Sequence, residues 1–352
     1  MMTLKTEVIK VRECDKDLGR KISSAADIIK NGGLVVFPTE TVYGLGADAT
    51  NSVAVKNIFV AKGRPSDNPL IIHIASPEDA EKYTYTNEIY YKLAKRFMPG
   101  PLTVILKSKD TIPLTTRAGL ATVAVRCPEN KIARSLISAS GVPIAAPSAN
   151  ISGTPSATSA THVINDMMGR VDMIIDGGEC DFGLESTIVK IEDDSSVTLL
   201  RPGKITVEEL SEIVKNVNIS SAVTNALREG EVALSPGMKY RHYAPTSPVE
   251  LLDATPENAV AYIKSEGLCN IAVIVYDGDL AYFQRSLPYA KCYAFGEKND
   301  EITQAHLLFS ILRDADKMSF EKIYAPAPNK HGVGLALYNR MIRAAAHKIT
   351  KL

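Results

Sequence analysis

An apolar run, Gly33-Leu34-Val35-Val36-Phe37, is cut off by Pro38 and passes at once into Thr39-Glu40-Thr41-Val42-Tyr43-Gly44-Leu45-Gly46. The run is short, partly β-branched and preceded by Asn31-Gly32, so it reads as a buried strand. Pro38 ends ladder pairing because it has no backbone N–H to give. Residues 39–46 then set three hydroxyls and a carboxylate on a loop carrying glycines at 44 and 46. Polar groups crowded at the end of a buried strand are the pattern of a ligand site in an α/β sheet. Taken alone, the same residues also suit a polar surface turn.

The rest of the chain supplies a sheet for that strand. Residues 5–11 read as an edge strand and 18–31 as a helix leading into the Gly33 strand. A helix over 52–62 stops at Gly63, with Pro65 just beyond. Strands are expected at 70–74, 102–106, 121–126, 142–145, 171–176, 186–191 and 197–201, and helices at 87–97, 131–139 and 159–168. Thr206 and Glu209 form a capping box for a helix over 206–216. From 217 to 246 no apolar period is sustained and Gly and Pro recur, which marks an interdomain linker. Beyond it, strands at 249–252, 271–276, 291–295 and 322–325 alternate with helices at 256–265, 279–286, 300–317 and 335–349. That rhythm is the one of an open parallel sheet with right-handed crossovers. With 352 residues there is room for two domains that each bury a core. The expected division is 1–216, a linker at 217–246, and 247–352.

Charge and cysteine usage exclude several functions. Forty Lys and Arg balance forty Asp and Glu, which argues against a general nucleic-acid coat or a membrane-surface protein. A local basic cleft stays open. No run is as long as a membrane span and residues 1–10 lack a signal-like apolar segment, so a cytoplasmic protein without membrane contact is expected. Cys14, Cys127, Cys180, Cys269 and Cys292 are odd in number, far apart and without CxxC spacing. Reduced thiols and no zinc site are expected from them.

Several further clusters could carry chemistry. Lys62, Arg64 and Ser66 sit on the loop after a helix, a point charge and a donor fork suited to phosphate or carboxylate oxygens. Cations at a helix end also simply complement its dipole. Arg126 ends a strand, where it could hold an anion or form a structural ion pair. Ser148, Asn150, Ser152 and Ser156 offer hydroxyl and amide hydrogen bonds after another strand, or ordinary turn chemistry. Glu185-Ser186-Thr187 precedes an apolar run, Arg201 ends another, and His73 lies on a strand where a core role competes with a site role. There is no GxxxxGK[ST], no complete GxGxxG, no HExxH and no GxSxG. A nucleotide, if bound, is held by another architecture. Taken together, these polar and cationic clusters, most of them at the ends of apolar strands, can converge on one concave basic face.

FPTETVYGLG, AKGRP with NPLIIHI, MPGPLT, VAVRCP, APSANISG, ESTIV and LLRPG, in this order, resemble the threonylcarbamoyl-AMP synthase family, the YrdC-like proteins. The match covers nearly all of residues 20–205. SPGMKYRHYAP at 235–245 and GVGLALYNRMIRAA at 332–345 resemble the linker and C-terminal domain of the longer, two-domain branch. The fold this implies is α/β: an N-terminal YrdC-like twisted mixed sheet with helices and a concave basic cleft, then a long linker, then a smaller Rossmann-like parallel domain. The implied reaction joins L-threonine, bicarbonate or CO2, and ATP into threonylcarbamoyl-AMP and diphosphate. The product would pass to a downstream tRNA threonylcarbamoyl-transferase complex, for adenosine 37 of tRNAs reading ANN codons. Positioning and charge neutralisation would be the protein's task, shared with Mg2+ held on the ATP phosphates and not by side chains.

At residue level the resemblance implies that Lys62, Ser66 and Arg201 contact the nucleotide phosphates, with Ser148, Asn150 and Ser156 adding hydrogen bonds and Thr122 and Arg64 nearby. Thr39, His73, Arg126 and Ser186 would hold threonine and the bicarbonate-derived carboxylate. Lys62 and Arg126 are the catalytic candidates, and alanine at either is expected to abolish adenylate formation with the fold intact. Tyr240, Arg241, His242 and Tyr243 form a basic-aromatic cluster in the linker, read as a lid over the cleft or as a solvated tether. A competing reading is a double-stranded RNA or tRNA-binding module without ATP turnover. Such a face would want more Lys and Arg with exposed aromatics, which leaves at most a weak tRNA contact.

Overall fold

The computed structural model describes residues 4–225 and 243–352. They fall into two compact units, one of residues 4–152 and 156–223, the other of residues 153–155, 224–225 and 243–352. The strands of the first unit are β1 (Glu7–Lys10), β2 (Val35–Phe37), β3 (Gly44–Asp48), β4 (Ile71–His73), β5 (Thr84–Tyr85), β6 (Leu102–Ser108), β7 (Thr122–Arg126), β8 (Ile144–Ala145), β9 (Met173–Asp176), β10 (Thr187–Ile191), β11 (Ser196–Arg201) and β12 (Asn216–Ile219). They make one mixed sheet in the order β1-β9-β2-β3-β8-β4-β7-β6-β10-β11-β12, with β5 flanking β6. The second unit holds β13 (Val249–Asp253), β14 (Ile271–Val275), β15 (Lys291–Ala294), β16 (Lys322–Pro326) and β17 (Ile349–Lys351), in the order β15-β14-β16-β13-β17. Every pairing there is parallel, as the alternating strand–helix rhythm predicts.

Local chemistry sets the elements that matter for the site. Ala25, Ala26 and Ile29 of the helix Leu18–Lys30 and Leu136 and Ile137 of the helix Lys131–Ser140 close over Val35, Phe37, Met173 and Ile175. That cluster buries β2 and fixes where its polar sequel begins. The helix Ser52–Lys62 starts under the Asn51 side chain, which accepts from the N–H groups of Val53 and Ala54, and ends at Gly63 in the left-handed region. Its last turn delivers Lys62, and Gly63 turns the chain to present Arg64.

Four sequence-based expectations change. Residues 44–46 are strand, not loop: β3 runs antiparallel to β2. Gly46 is there because the Phe37 ring crosses it; a Cβ at Gly46 would come within 2.7 Å of Phe37 and of Ile144. The Thr206–Glu209 capping box is present, but its helix covers only Val207–Ser211. The chain then returns as β12 beside β11, and Ala222 and Val223 are buried. Residues 217–223 therefore belong to the first unit and not to a linker. The helix expected over 335–349 is Gly334–Ala344; Ala346 and His347 take positive φ, reverse the chain, and release it as β17 beside β13.

Candidate active site

Five neighbouring strands of the first sheet line up one polar row. The register sets His73 beside Arg126, Arg126 beside Thr103, Thr103 beside Ile188, and Ile188 beside Arg201. Cross-strand partners share a face. Ser186 precedes β10, yet it joins the row because β10 runs antiparallel to β11 and parallel to β6, so its start meets the end of β11. The Ser186 hydroxyl lies 2.7 Å from the Thr103 hydroxyl and accepts from Arg201 Nη2 at 3.1 Å, while Arg201 Nε donates to the Ser186 carbonyl at 3.0 Å. Nearby, the Ser156 hydroxyl donates to Glu185.

The Thr39–Val42 loop reaches this row through Glu40. Its carboxylate accepts from Arg126 Nη2 at 2.7 Å, with both side chains only 5% exposed. Neither partner is used up: Glu40 Oε2 and Arg126 Nε are buried without a hydrogen-bond partner from the protein. The Thr39 hydroxyl donates to the Val42 carbonyl at 2.6 Å and accepts from the Val42 N–H at 3.2 Å, so it shapes the loop that carries Glu40. The Phe37 ring meets His73 edge to face. Burial first, then the Arg126 charge, push the His73 imidazole down to about 3. It is a neutral ring, with the Ile144 carbonyl 3.3 Å from Nδ1 and the Ile71 carbonyl a second backbone acceptor beside it.

A second group gathers toward the start of β4 and β7. Because β8 runs antiparallel to β4, the chain leaving β8 travels back past Ile71, whose carbonyl takes the Ala146 N–H. Ser148 then bridges to Gly44. Lys62 Nζ donates to the Ser148 and Asn150 carbonyls at 2.5 and 2.6 Å, and the Ser148 hydroxyl donates to Asn150 Oδ1. Arg64 lies over the Phe59 ring and 3.4 Å from the Asn68 carbonyl; Ser66 is exposed on the same loop. Thr122 opens β7 on the face that carries Arg126, about 13 Å back along the strand. Ile71, Ala124, Ile105, Ile188 and Leu200 form an apolar cluster beside the row.

Two polar groups joined by an apolar floor make an elongated site. In the first unit, Lys62, Arg64, Arg117, Arg126 and Arg201 are buried cations against the buried carboxylates Glu40 and Glu185, among the described residues.

The family described as "Telomere recombination", which joins Sua5, YciO and YrdC, matches residues 27–203, and "Threonylcarbamoyl-AMP synthase, C-terminal domain" matches residues 205–346. The threonylcarbamoyl-AMP synthase of Pyrococcus abyssi is 44% identical over 99% of this chain and 100% of its own. The chain belongs to the threonylcarbamoyl-AMP synthase family. The Bacillus subtilis member is 42% identical over 94% of each chain. The crystal structure of P. abyssi Sua5 complexed with L-threonine superposes with a TM-score of 0.88 at 41% identity, covering 99% of this chain and 100% of that one.

Among the residues that sequence reasoning singled out, His73, Arg126, Ser186, Arg201 and Ser156 fall at one end of the site, and Lys62, Arg64, Ser148, Asn150 and Thr122 at the other. Arg201 and Ser156, expected to contact the nucleotide together with Lys62, are packed against Ser186 and Glu185. Arg126 is half of a buried ion pair, so alanine there disturbs the fold as well as the chemistry. Sequence reasoning missed Glu40 as the Arg126 partner and Thr103 as the Ser186 partner. It also missed Asn68, fully buried with both amide atoms unpartnered, and Arg117, whose Nε is unpartnered. Asn68 precedes a proline and reads locally as a turn; only its burial reveals it. Of the lid residues, Tyr240, Arg241 and His242 lie outside the described residues. Tyr243 is buried in the second unit, stacked on Phe309 with the Arg340 guanidinium over its ring, which is the setting of an anchor.

Proposed function

We propose that this chain converts L-threonine, bicarbonate or CO2, and ATP into threonylcarbamoyl-AMP and diphosphate. The observation that carries the residue roles is the Glu40–Arg126 pair with one orphan atom on each partner. Buried polar atoms without partners call for a ligand or water. A free amino acid is itself a zwitterion, and it supplies a carboxylate for Arg126 Nε and an ammonium for Glu40 Oε2. His73 and the Thr103–Ser186 hydroxyls face the same row and select a hydroxyl-bearing side chain. Once its ammonium has lost a proton and the amine has condensed with bicarbonate, with loss of water, the new carbamate is an anion, which we assign to Arg126 and Arg201 along the row.

Lys62, Arg64, Ser148 and Asn150 take the nucleotide, with Thr122 on the same track and Ser66 at the rim. The carbamate oxygen then attacks the α-phosphorus and diphosphate leaves. The chain forms no covalent bond in this scheme; it aligns the attacking and leaving oxygens and neutralises charge. We assign Arg201 and Ser156, beside Ser186, to the phosphorus under attack. Mg2+ is assigned to the ATP phosphates, where it offsets their charge. Among the described residues no three His, Cys, Asp or Glu side chains gather to hold an ion. The linker cluster Tyr240–His242 serves as a lid that keeps water from a labile carbamate.

The product is delivered to a tRNA threonylcarbamoyl-transferase for adenosine 37, with weak tRNA contact from this chain, and the work is done in the cytoplasm. No helix among the described residues is long and apolar enough to cross a membrane. The test is diphosphate release by the purified full chain with Mg2+. Release that needs ATP, L-threonine and bicarbonate together supports the reading. Release indifferent to threonine overturns it.

A further inference from the structure

The second unit contains a cavity of about 270 Å3 that the proposed reaction does not use. It opens at the carboxyl ends of β13, β14 and β16, where Leu252, Val275 and Ala325 line it. The place is set by the topology. β14 and β16 are neighbours in the sheet. The chain leaves β14 through the helix Leu280–Ser286 for β15 on one flank, and leaves β16 through the helix Gly334–Ala344 for β17 on the other. Adjacent parallel strands whose connections diverge leave a crevice between their carboxyl ends, and open α/β sheets take ligands there.

The lining narrows what fits. Tyr276, Phe283, Pro256 and Pro326 give flat apolar walls, and Ala254 and Ala259 keep the slot open. The volume is at the lower end for small-molecule sites, room for a one- or two-ring compound and not a dinucleotide. The polar residues of the lining are Tyr276 and Asp279, half-buried, with Thr255 and Lys298 exposed. Burial, then the Asp279 and Glu301 carboxylates, hold the Tyr276 phenol above its usual range, so it stays a neutral donor. Asp279 at the mouth balances Lys298 at the rim, so the opening carries no net positive charge and suits hydroxyls better than phosphate. The loops around it are tied together: the Asp277 N–H donates to the Gly296 carbonyl at 3.0 Å, and the Gly296 N–H donates to Asp277 Oδ1 at 2.9 Å. The cavity is therefore formed before anything enters it.

We infer that this cavity binds a nucleoside, its planar base in the slot between the rings and prolines and its sugar hydroxyls donating to Asp279. The site is separate from the ATP-binding residues of the first unit and independent of their roles. Equilibrium dialysis of the full chain with labelled adenosine and labelled uridine, with and without saturating ATP, tests it. The expected result is one nucleoside site per chain that persists when ATP fills the first unit. Asp279→Ala should weaken that site at least tenfold and Ala259→Phe should remove it, while both variants keep threonine-dependent diphosphate release. If either variant misfolds, its circular dichroism shows it and the other decides. Absence of an ATP-resistant site for both nucleosides, or wild-type affinity in both folded variants, overturns the inference. A chain that released no diphosphate yet kept the ATP-resistant site would contradict only the proposed reaction.

Discussion

Replacing Arg126 by alanine separates two roles of one side chain. The first is structural. Arg126 and Glu40 are 2.7 Å apart and each 5% exposed, so the variant leaves a carboxylate buried without its counter-ion. Breaking a pair of this kind costs about 3–5 kcal/mol, because the remaining charge keeps its desolvation penalty. Removing both charges, in Glu40→Ala with Arg126→Ala, should return much of that stability. The second role is the proposed chemical one. Loss of a buried charge-assisted contact to the threonine carboxylate costs about 2–5 kcal/mol, from roughly thirty-fold to a few thousand-fold in kcat/KM. That loss should persist in the double variant. Urea unfolding measures the first effect, and diphosphate release against threonine concentration measures the second. A single variant as stable as the wild type, or either variant with wild-type kcat/KM for threonine, would refute the reasoning.

Four other outcomes are expected. The His73 imidazole sits at about 3, below its unfolded value, so the unfolded chain binds this proton first as pH falls. Its contribution is complete above about pH 6.5 and is lost downward from there, on the order of 4 kcal/mol by pH 3, and His73→Gln should flatten that part of the urea-midpoint profile. Gly203→Ala should lower activity sharply with the helices retained by circular dichroism, because a Cβ at Gly203 would lie 2.5 Å from the Thr187 nitrogen and 2.8 Å from the Glu185 carbonyl, displacing the Glu185–Ser186 segment. Lys62→Met keeps the stem but loses the ammonium that ties Ser148 to Asn150, and should raise KM for ATP about ten-fold or more with a smaller effect on threonine. In the second unit Glu250 is fully buried under Lys322 and Lys348; burial raises its carboxyl, but the ion pairs with those lysines and the hydrogen bonds from Thr350 and Tyr262 outweigh it and hold the group down at about 2. Glu250→Gln should destabilise that unit by about 3–5 kcal/mol at pH 7, and the stabilisation from Glu250 should fade only as pH drops from the usual glutamate range through about 2.

Much of this was legible in the residues, because local and global signals agree where they are strong. The Gly33–Phe37 run had to be a buried strand, and its sequel had to be polar. The alternation after residue 249 could only be a parallel sheet. What stayed hidden depends on register. Nothing near Glu40 in sequence says that its partner is Arg126, since β2 and β7 run in opposite directions and only the loop after β2 brings the two side chains together. Ser186 comes before a strand and Arg126 after one, and they share an edge only because the sheet is mixed. Gly46 looked like loop flexibility and is a steric allowance for Phe37. The end of the chain was read as one long helix because Ala344–Lys348 continues a helical composition; the left-handed turn at Ala346 and His347, neither a glycine, leaves no sequence signature.

The most direct test is to supply 13C-bicarbonate with ATP, Mg2+ and L-threonine and to weigh the adenylate that the full chain forms. The account predicts threonylcarbamoyl-AMP carrying one added 13C, absent without threonine and severely reduced in Arg126→Ala. AMP or an adenylate without the label, at wild-type rates of diphosphate release, would contradict it.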